Sequence, residues 1–278
     1  MNDYIDTHCH YDLPPLLARR WELLRACRAA GVRAVIVPAI TAGSNRTMRA
    51  ALDYAQNPAL LSETGCSADD LPRLFFAAGL HPARLWGPDA LPPQQWEPVL
   101  REAAAAPGCV AIGETGLDHH LPFPEPGLAA LQADCFSLQL CLAEELRLPL
   151  ILHIRDAYPD ALALLRQHPL REGGVVHCFT ADWDTARRFL DLGLSLGIGG
   201  AVTREGADAL RDAVRRCPAD RLVLETDGPY VKPAGWTGPN SSLSIPGGIA
   251  RFTAELRGVP EAELAGETTR NARALFHL

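Results

Sequence analysis

Six residues of this sequence have the donor atoms to hold a cation: His8, His10, Glu114, His153, His177 and Asp227. His8-x-His10 has the two-residue spacing that turns both imidazoles to one face of a strand. On its own such a pair also occurs as packed structural histidines, and a single buried histidine is usually just a hydrogen-bonded core residue. The other four each end a short run of β-prone apolar residues. Gathering four imidazoles and two carboxylates without a cation would cost a large desolvation energy, because charged groups leave water only when paired or coordinated. The set therefore points to a metal site. It also exceeds the three protein ligands of a mononuclear catalytic zinc, which indicates two ions about 3.5–4 Å apart across a bridging group.

The elements that must position these side chains alternate regularly. Short apolar runs predict strands at 4–8, 34–39, 74–80, 110–114, 150–154, 174–178, 194–199 and 221–226. Amphipathic stretches between them predict helices at 16–30, 44–56, 94–106, 128–147, 158–167, 183–192 and 205–216. The stretch 128–147 is the clearest: Leu131, Cys135, Leu138, Leu142 and Leu146 recur at helical spacing, and Pro149 stops the pattern. The segment 57–73 is expected to be irregular rim decoration. A Pro/Gly/Ser-rich loop at 228–247 precedes two final helices near 248–257 and 261–276.

Eight strands with helical crossovers predict an α/β fold, a single (β/α)8 TIM barrel over 1–278, with a doubly wound open sheet as the alternative. Barrel enzymes build their sites at the C-terminal strand ends, where five of the nine histidines fall.

Composition narrows the class further. The 278 residues are 47% hydrophobic and 21% charged, which excludes disorder, collagen and coiled coil. No run is long and apolar enough for a membrane helix, and Met1-Asn2-Asp3 does not open a signal peptide. The eight cysteines include no C-x-x-C pair, so they read as buried reduced thiols in a cytoplasmic protein rather than a zinc knuckle. The net charge of −7 argues against bulk electrostatic binding to duplex DNA. Lys232, beyond the eighth strand, is the one lysine, so arginine supplies the remaining basic residues.

The chain resembles the TatD family of metal-dependent deoxyribonucleases. The motifs that carry the resemblance are Asp6-Thr7-His8-Cys9-His10, Gly79-Leu80-His81-Pro82, Gly113-Glu114-x-Gly116-Leu117-Asp118, His153-x-Arg155-Asp156-Ala157, His177-Cys178-Phe179 and Glu225-Thr226-Asp227. They follow in the family's order across nearly the whole chain, with Asn271-Ala272-x-x-x-Phe276 at the end. The resemblance implies a dinuclear (β/α)8 barrel hydrolysing phosphodiesters, often as a 3′–5′ exonuclease. Carried over by position, His8, His10, Glu114 and Asp227 would hold one ion, and Glu114, His153 and His177 the second. Related barrels often bridge with a carboxylated lysine on the fourth strand. Here Lys232 lies elsewhere, so the task falls to Glu114.

In this reading a metal-activated water attacks phosphorus. Asp227 would orient the water and accept its proton, or serve only as a ligand. His81 would contact a phosphate, with core packing as its alternative. Arg155 would offer a guanidinium to a phosphate oxygen, or pair with Asp156 or Asp118. His119 and His120 stand where relatives are expected to carry an aromatic residue, and read as loop residues or mouth contacts. His168 and His277 receive no function. Cys9 and Cys178 are expected to pack away from the site. Trp236 would either stack on a base or pack at the rim.

The loop departs from the family, with Asn240-Ser241-Ser242 in place of Asn-Glu-Pro and Gly228 in place of alanine. The leading expectation is cleavage of DNA, as a single strand or strand end, with two divalent ions (Mg²⁺, Mn²⁺ or Zn²⁺). The alternatives are an ester or amide substrate, such as an aminoacyl-tRNA ester or a lactone, and a non-catalytic partner-binding barrel.

Overall fold

The computed structural model describes residues 2–63, 65, 67–88, 90–120, 127–168 and 170–278. Eight strands lie in sequential order, each parallel to the next: β1 (Tyr4–Asp6), β2 (Val32–Pro38), β3 (Arg73–Ala78), β4 (Cys109–Asp118), β5 (Leu150–Arg155), β6 (Gly174–Val176), β7 (Ser195–Ile198) and β8 (Leu222–Leu224). Thr7 N–H donates to Leu224 O (3.1 Å) and Asp227 N–H to His8 O (2.8 Å), which closes the sheet into a barrel. Sequential order with this closure excludes the doubly wound alternative.

The helices are α1 (Arg20–Ala29), α2 (Ala42–Gln56), α3 (Pro58–Glu63), α4 (Trp96–Ala104), α5 (Leu128–Leu146), α6 (Tyr158–Leu165), α7 (Trp183–Leu190), α8 (Asp208–Arg216), α9 (Ala250–Arg257) and α10 (Glu261–Phe276). The expectation of irregular structure over 57–73 is thus corrected by α3 and by the early start of β3. Among the described residues, no helix is long and apolar enough to cross a membrane.

Strand alternation divides the core in two. Ile5, Ile36, Ala77, Ala111, Ile151, Val175 and Val223 fill the barrel interior, and Ala272 and Phe276 of α10 join them there. The opposite strand faces, including Val35, Val37, Phe76, Leu152, Leu196 and Leu224, pack against the surrounding helices.

Two irregularities break that alternation, and both serve the mouth. At β1, Ile5 faces the interior, so a regular strand would also direct Thr7 and Cys9 inward. A bend at Thr7 shifts the parity, so that Cys9 joins the outer core while His8 and His10 converge. On β4, Ile112 pairs with Leu150 but Thr115 with Leu152, which inserts one extra residue at Gly113–Glu114. Such a bulge re-aims a side chain, here Glu114.

α5 clamps the strand ends. Gln139 accepts from Leu80 N–H (3.0 Å) and donates to Leu80 O (3.1 Å). Gln132 brackets the Asp118 backbone in the same way (3.0 and 3.2 Å).

Some strand ends differ from expectation. β6 stops before His177, and β8 before Glu225-Thr226-Asp227. Cys178 and Asp227 take left-handed backbone (φ 47° and 50°), which a continuing strand cannot use. β4 runs on to Asp118. Cys66 lies outside the described residues, and the other seven cysteines are free. The expectation that the thiols are buried fails for Cys141, which is exposed on α5.

The β4 bulge depends on the absence of a side chain at residue 79. A Cβ there would lie 2.1 Å from Gly113 C and 2.4 Å from Glu114 N, both backbone atoms. Gly79→Ala should therefore destabilise the protein toward the upper end of the roughly 1–3 kcal/mol of overpacking changes. Denaturant unfolding of the two proteins measures it.

Candidate metal centre

Glu114 is 3% exposed and lies among five imidazoles. Its Oε1 is 2.9 Å from His153 Nδ1, 3.2 Å from His177 Nε2 and 3.3 Å from His81 Nε2. Its Oε2 is 3.3 Å from His8 Nε2 and 3.5 Å from His10 Nε2. Asp227 Oδ1 completes the second side at 3.7 Å from His8 and 3.6 Å from His10. The bulge and the C-terminal ends of β1, β5, β6 and β8 thus bring together all six residues read from the sequence. Each carboxylate oxygen serves a separate group of nitrogens.

These residues fit metal ions. Two imidazole nitrogens, His8 Nε2 and His10 Nε2, approach to 3.2 Å, so at least one must be unprotonated and present a lone pair. The buried Nδ1 atoms of His8, His10 and His177 have no hydrogen-bond partner among the described residues. Three clusters have ligand atoms mutually within 4.8 Å: His8, His10 and Asp227; His8, Glu114 and His177; and His81, Glu114 and His153.

The surrounding groups indicate which histidines have a free lone pair. His153 Nε2 faces Asp118 Oδ2 at 3.0 Å and His177 Nδ1 faces Glu225 Oε1 at 3.3 Å. A carboxylate accepts, so His153 carries a proton on Nε2, while His177 Nδ1 lies within ion-pair range of Glu225 without a formed hydrogen bond; each histidine turns its other nitrogen toward Glu114. His81 differs. Its Nδ1 accepts from Ala83 N–H (3.0 Å), which places the neutral ring's proton on Nε2. The Nε2–H then donates toward Glu114, so His81 suits a hydrogen-bond donor better than a ligand despite its place in the third cluster.

Asp118, Glu225 and Asp6 were not read from the sequence as having roles of their own, although all three stand inside the motifs. Glu225 also accepts the Cys178 N–H at 2.5 Å, and it needs space from β7: a Cβ on Gly197 would lie 2.2 Å from Glu225 Oε2. Asp6 is fully buried. It accepts from His8 N–H (3.1 Å), Thr226 N–H (3.1 Å), the Thr226 hydroxyl (2.7 Å) and the Ser242 hydroxyl (2.6 Å).

The remaining candidates are also placed. Arg155 ends β5, two residues beyond His153 and so on the same face, and is exposed. The ion pair weighed for it does not form among the described residues: Asp118 faces His153, and Asp156 faces His120 Nδ1 at 2.7 Å. His119 lies 3.6 Å from Asp160 at the surface. Cys9 packs in the outer core as expected. Trp236 packs against Gly238 and Gly247 and donates to Pro239 O (2.9 Å), which favours its rim reading. It lines a cavity of about 480 Å³ with Thr203, Arg251 and Phe252, which shares no residue with the histidine cluster.

Protonation follows the geometry. Burial opposes ionisation of Glu114, but His81, His8 and His177 outweigh it and hold the carboxyl well below its usual range. Burial pushes Asp227 up to about 7 and lowers His10 to about 4, and it drives His8 well below its ordinary value. His177 is raised well above its ordinary value, because Glu114 and Glu225 outweigh burial.

A polar cation-binding cluster at the C-terminal mouth of a closed (β/α)8 barrel defines a class, the metal-dependent hydrolases. A sequence profile described as TatD related DNase matches residues 5–277, and the chain belongs to this TatD family. It is 34% identical to the metal-dependent hydrolase YcfH of Escherichia coli K12, over 99% of this chain and 96% of that protein. It is 40% identical to the 3′-5′ ssDNA/RNA exonuclease TatD of Rahnella sp. Y9602, over 77% of this chain and 86% of that one. The crystal structure of YjjV, a TatD homolog from E. coli K12, superposes with a TM-score of 0.81 at 32% identity, covering 99% and 98% of the two chains. The chain is accordingly a metal-dependent hydrolase.

Two outcomes follow. Glu225→Gln and Asp118→Asn should each weaken metal binding about 10- to 100-fold, the cost of losing a partner that orients a ligand histidine; chelator competition measures it. In the metal-free protein at pH 6, Asp227 and His177 both hold protons, which binding must displace. Calorimetry in buffers of different ionisation enthalpy should therefore show net proton release on Mn²⁺ or Zn²⁺ loading, with apparent affinity falling as pH drops below about 7.

Proposed function

We propose that this chain hydrolyses nucleic-acid phosphodiesters, removing nucleotides from a single-stranded 3′ end, with two divalent ions held on either side of Glu114. The observation that carries this reading is the split of the Glu114 carboxylate, Oε1 toward His153 and His177, and Oε2 toward His8 and His10. Asp227 completes the His8–His10 side. When bound, such ions supply an activated water near neutral pH and offset charge on the attacking and leaving oxygens. The imidazole-rich donor set suits Zn²⁺ or Mn²⁺ better than Mg²⁺, which prefers all-oxygen shells. In this reading 1–278 act as one domain, and the spacing of the cysteines favours the cytoplasm.

The chain's own residues then divide the work. Asp227, whose Oδ1 lies beside His8 and His10 at the mouth, orients the attacking water and accepts its proton. His81 Nε2–H, directed at Glu114 Oε1, is a donor that a substrate oxygen can share. Among the described residues the exposed Arg155 guanidinium forms no ion pair, so it can hold a phosphate oxygen at the rim. The name of the Rahnella relative supports a nucleic-acid substrate. The negative net charge is compatible with that substrate, because contacts at a strand end do not require a basic surface.

The test is hydrolysis of 3′-labelled single-stranded DNA beside an aminoacyl ester by protein reconstituted with Mg²⁺, Mn²⁺ or Zn²⁺. Shortening of the DNA from the labelled end is expected, with about two metals per chain by elemental analysis. The Glu114→Gln/Asp227→Asn variant should lose at least about 100-fold in rate while keeping its circular dichroism spectrum. Turnover of the ester with intact DNA, or less than about one metal per chain, would overturn the reading.

A further inference from the structure

Among the aromatic residues described, Tyr230 stands out because it is both exposed and close to the metal centre. It is 54% exposed, and Leu17 is the other large apolar residue left out in solvent among the described residues. The Tyr230 ring lies 6.0 Å from the His10 ring at 73°, in an edge contact. His10 in turn is within 3.6 Å of both Glu114 and Asp227. Among the described residues the Tyr230 hydroxyl makes no hydrogen bond, so polar anchoring does not explain the ring's position.

The backbone that carries the ring is fixed on both sides. Tyr230 N–H donates to Asp227 O at 2.7 Å, which closes a turn directly after a candidate ligand. Tyr230 O accepts from Asn240 Nδ2 at 3.1 Å, and the same amide donates to Thr226 O at 3.0 Å. With the backbone held this way, the ring has only its two side-chain rotations to lose when a flat partner covers it. Base–aromatic stacking recognises single strands without regard to sequence, since every base has a π-face. Trp236, the aromatic residue singled out by sequence, is occupied instead with Gly238, Gly247 and Pro239.

We propose that Tyr230 is the stacking platform for the base of the 3′-terminal nucleotide while its phosphodiester lies at the metal centre. The inference rests on the nucleic-acid reading above and deepens it. It makes Tyr230 a determinant of substrate class: a strand end with a free, unstacked base, not a duplex end or a small diester lacking a base. The ring takes part in no proton or metal chemistry, so its effect falls on recognition.

The experiment compares two labelled single-stranded DNAs that differ only at the 3′ end, one carrying a base and one an abasic tetrahydrofuran nucleotide, cleaved by the metal-loaded protein. Wild type should favour the base-bearing end in kcat/KM by roughly 5- to 150-fold, the equivalent of one stacked base. Tyr230→Ala should cleave both ends alike, mainly through a higher KM for the base-bearing end, with unchanged metal content. Tyr230→Phe and Tyr230→Trp should retain the preference. Persistence of the preference in Tyr230→Ala would overturn the inference while leaving the nucleic-acid reading intact, as would equal cleavage of both ends by wild type. Failure of wild type to cleave either DNA would overturn both.

Discussion

One buried anion sets the terms for this barrel. Glu114 sits out of water at the mouth, and its two oxygens reach five imidazoles on four different segments of the chain. A carboxylate in such a place is tolerable only with positive or donor partners on every side. That requirement dictates where the strands must end and which residues can stand there. It also explains the local cost the chain accepts beneath Glu114. The extra residue in β4 breaks the ladder to β5, and β3 approaches so closely that residue 79 has no space for a side chain. Asn45 stitches this weak point, donating to Gly79 O (2.7 Å) and accepting from Gly79 N–H (3.2 Å).

A second layer of carboxylates decides how the histidines are used. Asp118 takes one nitrogen of His153 and Glu225 lies 3.3 Å from one nitrogen of His177, leaving the other nitrogen of each for the centre, whereas the Ala83 amide takes the nitrogen of His81 that would otherwise free its Nε2 lone pair. Three imidazoles that look equivalent in composition thus separate into two candidate ligands and one donor. Asp6 acts on the backbone instead, tying His8, Thr226 and Ser242 to one carboxylate across the β1–β8 seam. Burial pushes Asp6 up to about 7 despite these bonds. Because β1 and β8 have three residues each, the polar hub reinforces the few backbone hydrogen bonds that close the seam.

The barrel and the gathering of its candidate ligands were legible in the sequence for a physical reason. A parallel strand buried on both faces reads as a short apolar run, and a ligand at its C-terminal end appears as a polar residue directly after that run. His153 after Leu150-Ile151-Leu152 and His177 after Val175-Val176 are of this kind. The strand limits were less legible, because left-handed backbone at Cys178 and Asp227 is not encoded by glycine, the usual signal. The parity change at Thr7 left no compositional trace, and the bulge at Glu114 left only Gly79 and Gly113, which a sequence reading could also take as turn residues. Asp118 and Glu225 could have been singled out as unassigned acids inside ligand motifs, but their roles rest on distances to one nitrogen and not its neighbour. Tyr230 reads as an ordinary loop residue until its distance from His10 is known.

The loop that departs most from the family is not mechanically separate from the metal ligands. A proline at position 242 could not donate to Asp6, whereas Ser242 does so at 2.6 Å. Asn240 holds Thr226 O and Tyr230 O, and Ser244 donates back to Asn240 Oδ1 at 3.0 Å. Residues 240–244 consequently connect three things: the carboxylate under His8, the turn carrying Asp227, and the exposed ring at the mouth. A change in this loop that retunes substrate recognition must preserve those bonds or shift the ligands with them. Because the Ser242 bond goes to a fully buried carboxylate, losing it would leave an acceptor lone pair unpaired where water does not reach, at a cost of about 1–3 kcal/mol. Substrate choice in this chain is therefore constrained from below by the same buried acids that set the geometry of the centre.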